Sequence, residues 1–267
     1  MIPILMTASV DTRGMQGAKF SATEREKMYV DTLNFYIDVF KKKEECFELV
    51  FAENSGWNKK SILKKLHKAE NVFIEYVELS PEDFDVAKGK GYNEMLLIDK
   101  ATMISTTIQS AGAFFKLTGR FPIRNLYSLL KEVEKRGGKE MNLYADCKDH
   151  KVYEWLHLPI NGHAGECRYY AVSLDFWNEH MRGRYVELND FTGLLIEDFF
   201  LKIMREVKKQ RGVHCRFRTQ AYFAGNGGHS LGTGPAFFYS TNNDSVLMKL
   251  KRGLQQLLRW CLPWWWC

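Results

Sequence analysis

Short apolar runs ending in small or polar residues alternate with amphipathic and basic segments along residues 1–120. ILMTASV (4–10) predicts a buried first strand with Thr7 and Ser9 at its C-terminal end. Ser21-Ala-Thr-Glu24 is a capping box, so a helix is expected from there to about Lys43, with Met28, Leu33, Phe35, Ile37 and Phe40 among its apolar positions. FELVFAENSGW (47–57) predicts a second strand and a turn, NKKSILKKLHKAE (58–70) a basic helix, and NVFIEYVEL (71–79) a third strand. A basic, glycine-containing loop at Lys88 opens a helix to about Ser105, and AFFKLTG (113–119) is a fourth strand. Repeated strand–helix units predict an α/β domain with a largely parallel sheet, and ligands of such sheets bind beyond the carboxyl ends of the strands. That rule places Thr7, Ser9, Glu53, Asn54, Ser55 and residues 116–120 on one rim.

The texture changes after Arg120. RNLYSLLKEVEKRGG (124–138) predicts an amphipathic helix, MNLYADC (141–147) and CRYYAVSLDFW (167–177) two strands, and LLIEDFFLKIMREVKKQ (194–210) a long helix. CRFRTQAYF (215–223) predicts a last strand, followed by the glycine-rich loop AGNGGHSLGTG (224–234). The loop has two readings, a lid that orders when ligand binds, with His229 touching phosphate or acceptor, and an ordinary exposed loop. No repeat or long linker interrupts residues 1–244, so one domain is expected there, with residues 1–120 binding a donor and 121–244 completing the acceptor side.

Residues 88–120 hold the strongest chemical signal. Glycines let backbone N–H groups approach an anion, a helix N-terminus carries partial positive charge, and lysine and arginine add full charges, so the pattern suits a phosphate-bearing ligand. A surface loop followed by a core strand gives the same spacing. The net charge of +6 fits an anionic ligand or an anionic surface, and is too modest, without interleaved aromatics, to suggest nucleic acid. The six cysteines form no C-x-x-C pair; Cys46, Cys147, Cys167 and Cys215 are expected as buried thiols of a reducing compartment. The N-terminus lacks a basic n-region, and a cytoplasmic location is expected.

The turn at 54–56, KGKGYNE (88–94), FFKLTGRFPI (114–123) and the IED at 196–198 together resemble bacterial glycosyltransferases of capsule and lipopolysaccharide gene clusters. The resemblance spans most of residues 1–235, closely in the first half and loosely in the second. It implies a GT-A-like, Rossmann-type, mostly parallel central sheet flanked by helices, with a C-terminal amphipathic helix. It further implies transfer of a sugar from a nucleotide-sugar donor to a glycan acceptor. The donor site it implies comprises Thr7, Ala8, Ser9, Glu53, Asn54, Lys88, Gly89, Gly91, Glu94, Lys116, Thr118, Gly119 and Arg120. Asn54 and Ser55 also suit simple capping of their own turn, and Glu94 suits simple stabilisation of its helix.

Many GT-A enzymes hold a divalent cation with an Asp-x-Asp motif after the fourth strand; here that position reads Lys116-Leu-Thr-Gly-Arg120. Lys116 and Arg120, with Lys88 or Lys90, are expected to neutralise the leaving diphosphate, and no metal cofactor is then required. If Mn²⁺ or Mg²⁺ is used, Asp146 and Asp149 in ADCKD are the candidate ligands, just past their strand. Inverting transfer needs a carboxylate base. Glu197 is the first choice and Asp149 the second, ahead of Asp146, Asp175 and Asp198. Charge at a helix N-terminus accounts equally well for Glu197 and Asp198.

Residues 245–267 differ again. Leu247, Leu250, Leu254, Leu257, Leu258 and Cys261 fall near one helical face, Lys249, Lys251, Arg252 and Arg259 supply charge, and Trp264, Trp265 and Trp266 follow Pro263. This is the composition of an interfacial helix for an anionic membrane at the inner face of the plasma membrane, and it suits a lipid-linked acceptor. A helix packed on the domain is the other reading. A sugar-phosphate nucleotidyltransferase is the competing enzyme class, because VDTRGMQGAKF (10–20) offers a basic, glycine-containing loop after the first strand.

Overall fold

In a computed structural model, residues 1–137, 140–157, 161–226, 238–239 and 246–261 are described. The first half runs β1 (Ile4–Ala8), α1 (Ala22–Phe40), β2 (Phe47–Glu53), α2 (Lys59–Leu63), β3 (Val72–Glu78), α3 (Gly89–Ile104), α4 (Thr106–Ala111) and β4 (Ala113–Thr118). The second runs α5 (Leu126–Gly137), β5 (Leu143–Asp149), α6 (Val152–Trp155), β6 (His163–Ser173), α7 (Leu174–His180), α8 (Ile196–Val207), β7 (Val213–His214), β8 (Gly225–Asn226), β9 (Phe238–Tyr239) and α9 (Val246–Cys261).

Seven strands form one sheet in the order β3-β2-β1-β4-β6-β5-β7. β6 is antiparallel to β4 and β5, and the other pairings are parallel. The expected α/β architecture, a mostly parallel sheet flanked by helices and followed by a C-terminal helix, is therefore the one observed. Strands from both halves share this sheet. All five residues of β1 are buried, as a strand with both faces covered requires. Leu5, Val50 and Ala52 pack toward α3 and α8 with Met95, Leu97, Phe199 and Ile203. Ile4, Met6 and Phe51 pack on the opposite face toward α1 and α5, with Tyr29, Leu33, Phe40 and Leu129.

The Ser21–Glu24 capping box forms reciprocally at the start of α1, which ends three residues before Lys43. Several local expectations are corrected. The basic segment 58–70 is helical only over Lys59–Leu63, because lysines beside a single buried Ile62 bury too little apolar surface to extend it. CRFRTQAYF yields only the short β7 before it and a bridge from Phe223 to Ile123. Ser173 caps α7, so the strand expected through Trp177 stops at Ser173. Asp146 and Asp149 lie within β5, not past it. Cys46 is exposed, Cys215 is half-buried, and Cys147 and Cys167 are buried. His229, Trp264, Trp265, Trp266 and Cys267 lie outside the described residues, as does most of the 224–234 loop.

Candidate functional site

The register aligns Thr7 of β1 with Thr118 of β4 and Ala8 with Glu53 of β2, so the predicted rim exists at the carboxyl ends of the parallel strands. Two cavities open there. The larger, about 550 Å³, is lined by Lys90, Glu94, Arg120, Glu166, Arg168 and Glu197 among others, and lies within the range of ~300–1,000 Å³ common for small-molecule sites. The smaller, about 60 Å³, is lined by Thr7, Ala8, Ser9, Arg25, Tyr29 and Arg120 among others. Lys90, Glu94, Thr118 and Arg120 line both and form the junction.

The rim residues divide by what already occupies them. Glu53 is fully buried and accepts from the N–H groups of Val10, Ser55 and Trp57 and from the Ser55 hydroxyl. Asn54 accepts from the Ser9 hydroxyl at 2.7 Å and donates to the Asn93 carbonyl. Ser55 accepts from the Asp11 N–H at 2.9 Å. These three side chains hold the turn after β1, and neither Glu53 nor Asn54 lines a cavity. Gly119 also stands back, because a Cβ there would meet the Thr7 carbonyl oxygen at 2.8 Å.

The Lys88 loop shows why a helix N-terminus alone does not make a ligand site. The Asp190 carboxylate accepts from the Lys90 N–H at 2.8 Å and from the Gly91 N–H at 3.2 Å. The anion at the start of α3 is thus supplied by the chain itself. Gly89 has φ +86°, and a Cβ there would lie 2.6 Å from Asp190 Cβ, so both the turn and the close approach require glycine. Lys88 is half-buried and lines neither cavity. Lys90, two residues on, lines the junction instead.

Lys116 is corrected in role. Its side chain is wholly buried, and Nζ lies 2.7 Å from Glu94 Oε1 and donates to the Cys167 carbonyl at 2.6 Å and to Thr118 Oγ1 at 3.1 Å. It lines neither cavity and so presents no charge to a diphosphate. Burial alone would raise the Glu94 carboxyl; Lys116, with hydrogen bonds from Lys116 and Thr7, more than offsets it and holds the group below its ordinary value. Arg120 lines both cavities. Its Nη1 is buried with no hydrogen-bond partner among the described residues, and burial pushes its guanidinium below the ordinary arginine value.

The candidate bases separate clearly. Glu197, in the first turn of α8, lines the larger cavity 3.9 Å from Lys90 Nζ. It accepts from the Cys167 thiol at 3.6 Å, which burial, with Glu197 next, keeps protonated. Asp149 is instead gripped by Arg205 at 2.6 Å and His163 at 2.8 Å, Arg205 foremost pulling its carboxyl down to about 2. It is not brought to the cavity. Asp146 lines the cavity, but its oxygens accept from Arg259, the Tyr169 hydroxyl and the Phe217 N–H. The Asp146–Asp149 pair thus fits a metal poorly, its oxygens being committed to cations and donors.

Sequence reasoning missed Arg25, Tyr29, Asp190, Glu166, Arg168 and Gln255, and gave Arg259 only to a membrane-facing helix. A signal existed for Arg25, since it falls in line with Tyr29, Leu33, Tyr36 and Phe40 on the buried stripe of α1. An arginine on such a stripe must find polar company inside. The remainder come together only through the fold. α9 docks by its polar side: Arg259 pairs with Asp146 at 2.9 Å, and Gln256 accepts from the Gln220 N–H and donates to the Arg218 carbonyl. Leu250, Leu254, Leu257 and Trp260 of the same helix are exposed.

Three solved structures are among those similar to this chain. One is a galactosyltransferase, LgtC, in complex with donor and acceptor sugar analogs (14% identity, TM-score 0.46, 75% of this chain and 69% of that one). Another is mouse xyloside xylosyltransferase 1 in its apo form (12%, 0.45, 78% and 82%). A third is HddC from Yersinia pseudotuberculosis (16%, 0.42, 84% and 93%). At scores this low none of them fixes an activity or a site for this chain. No family model matches the chain, and no curated protein matches it in sequence.

Proposed function

We propose that this protein is a nucleotide-sugar-dependent glycosyltransferase of surface polysaccharide biosynthesis, acting on a glycan or lipid-linked glycan. The observation that carries the reading is the larger cavity, where a carboxylate, Glu197, faces a cation, Lys90, beside the unpartnered Nη1 of Arg120. In the inverting form of the reaction, an acceptor hydroxyl oxygen bonds to the anomeric carbon as the bond to the diphosphate oxygen breaks. Glu197 takes the hydroxyl proton, and Lys90 and Arg120 offset the charge that grows on the leaving diphosphate. Lys90 replaces Lys116 in this account, and no divalent cation is required by it. Exhaustive EDTA treatment tests that point: full loss of activity, restored by Mn²⁺ or Mg²⁺, would reject it.

The exposed apolar side of α9 supports attachment to an anionic membrane surface at the inner face of the plasma membrane. The function itself is tested by saturation-transfer NMR with UDP-, GDP-, CMP- and dTDP-sugars. Transfer to one member is expected, and binding of none would remove the reading. A second reading, sugar-phosphate nucleotidyl transfer, is favoured by the loop after β1, whose Thr12, Met15 and Ala18 line the smaller cavity. Pyrophosphate release from a nucleoside triphosphate and a sugar 1-phosphate would select it.

A further inference from the structure

The smaller cavity is lined by two arginines, Arg120, which the proposed transfer already uses, and Arg25, which has no role there yet. Arg25 is 5% exposed and is anchored by Nε and Nη2 on the Ser9 carbonyl oxygen at 2.8 and 2.5 Å. Nη2 also lies 3.4 Å from the Tyr29 hydroxyl, and that hydroxyl also supports Arg120. Both arginines line the same cavity of about 60 Å³. Neither has a carboxylate ion-pair partner among the described residues. The acid at the junction, Glu94, lies 2.7 Å from Lys116 Nζ, and its charge also acts on Arg120.

Two like charges in one desolvated cavity repel. The repulsion shows in Arg120, whose guanidinium is lowered first by burial, with Arg25 also pulling it down. A fold that tolerates this arrangement stands to gain from an anion between the two groups. Arginine offers planar, paired N–H donors that match phosphate oxygens. The cavity is far below the size of a whole small-molecule site, which suits a phosphate group better than a nucleoside.

We propose that Arg25 and Arg120 form a phosphate subsite, in which the backbone-anchored Arg25 and the unpartnered Nη1 of Arg120 together grip an anionic group of the ligand. Thr7 and Ser9 border it, and Lys90 stands at its opening into the larger cavity. The subsite rests on the transferase reading only for the identity of the rest of the ligand. It adds Arg25 to the positive charges, Lys90 and Arg120, that face the anionic part of the ligand.

The test measures thermal unfolding of the full chain with inorganic pyrophosphate, against chloride at matched ionic strength. The wild type is expected to gain stability with pyrophosphate in a saturable manner. Arg120→Gln is expected to be as stable as the wild type, or more so, without the anion, because repulsion with Arg25 is relieved. Its pyrophosphate affinity should fall at least about tenfold, with Arg120→Lys intermediate. Equal protection of wild type and Arg120→Gln, or protection of neither, would overturn the subsite. A lower melting temperature of Arg120→Gln without anion would equally count against it, marking the arginine as a structural prop. Pyrophosphate protection through Arg120 with no nucleotide-sugar binding would sustain the subsite and reject the transferase. Undiminished nucleotide-sugar binding by Arg120→Gln would do the reverse.

Discussion

Lys116 Nζ lies 2.7 Å from Glu94 Oε1, with the lysine side chain fully removed from solvent and the glutamate at the junction of the two cavities. Breaking such a pair leaves an uncompensated charge, which typically costs ~3–5 kcal/mol, whereas replacing both partners is often nearly neutral. Lys116→Met is therefore expected to lose stability on that scale in urea denaturation. The double variant Lys116→Met/Glu94→Gln is expected to recover much of it. If the single and double variants are equally unstable, the coupling is absent.

Glu197 and Asp149 are expected to differ sharply in kinetics. With a bound donor and acceptor, Glu197→Gln should lower kcat by roughly 10²–10⁴, the usual contribution of a general base. Asp149→Asn should leave kcat within a few-fold, because Asp149 is held by Arg205 and His163 away from the cavity. A large loss in Asp149→Asn alone would reverse the assignment.

Asp149 also makes a prediction about acid. Its folded-state carboxyl titrates at about 2, below the ordinary value of 3.8. A depressed carboxyl stabilises the fold above its unfolded value, and that stability is lost as pH falls from about 4 toward about 2. At pH 6 Asp149→Asn is expected to cost roughly 1–2 kcal/mol, discounted because Arg205 is half-exposed. Urea midpoints of variant and wild type should differ at pH 6 and converge at about pH 2–3. A gap that is unchanged at low pH would show that the ion pair is not its source.

Asp190 binds the start of α3 through the N–H groups of Lys90 and Gly91. Gly91→Ala would place a methyl 2.8 Å from Asp190 Oδ1 and 3.1 Å from Ile196 Cβ, forcing the loop and α8 apart. Lys90 and Glu197 flank this contact, so the variant should lower catalytic rate more than donor affinity. Rates and affinities measured on Gly91→Ala, with circular dichroism to confirm folding, check this. A variant with wild-type kcat would show that the contact does not position them.

The two sides of α9 should separate experimentally. Replacing exposed Leu250, Leu254 and Leu257 with serine is expected to abolish binding to anionic phospholipid vesicles, leaving the melting temperature unchanged. Arg259→Ala should instead loosen the helix from Asp146, which is read as faster proteolysis of the C-terminus. Unaltered vesicle binding after loss of the three leucines would remove the membrane role.

The sequence by itself determined the alternation of strands and helices through residue 120, because each buried strand needed a continuous apolar run and α1 carried its own capping box. It also determined the rim, since a parallel sheet places the residues after Ala8, Glu53 and Thr118 together. The amphipathic character of α9 was legible for the same reason, as helical periodicity is a local property. What the tertiary structure alone decided was which polar groups are already taken. Asp190 is about a hundred residues from the loop it caps, and no local pattern announces that an incoming ligand's place at a helix N-terminus is filled. Lys116 and Arg120 are close in sequence, yet Lys116 lies inside β4 with its side chain buried against Glu94 and Cys167, whereas Arg120 lies past the end of the strand and lines the cavity. Burial and partner choice depend on the whole packed neighbourhood, so the charges available to a ligand emerged only when the chain was folded.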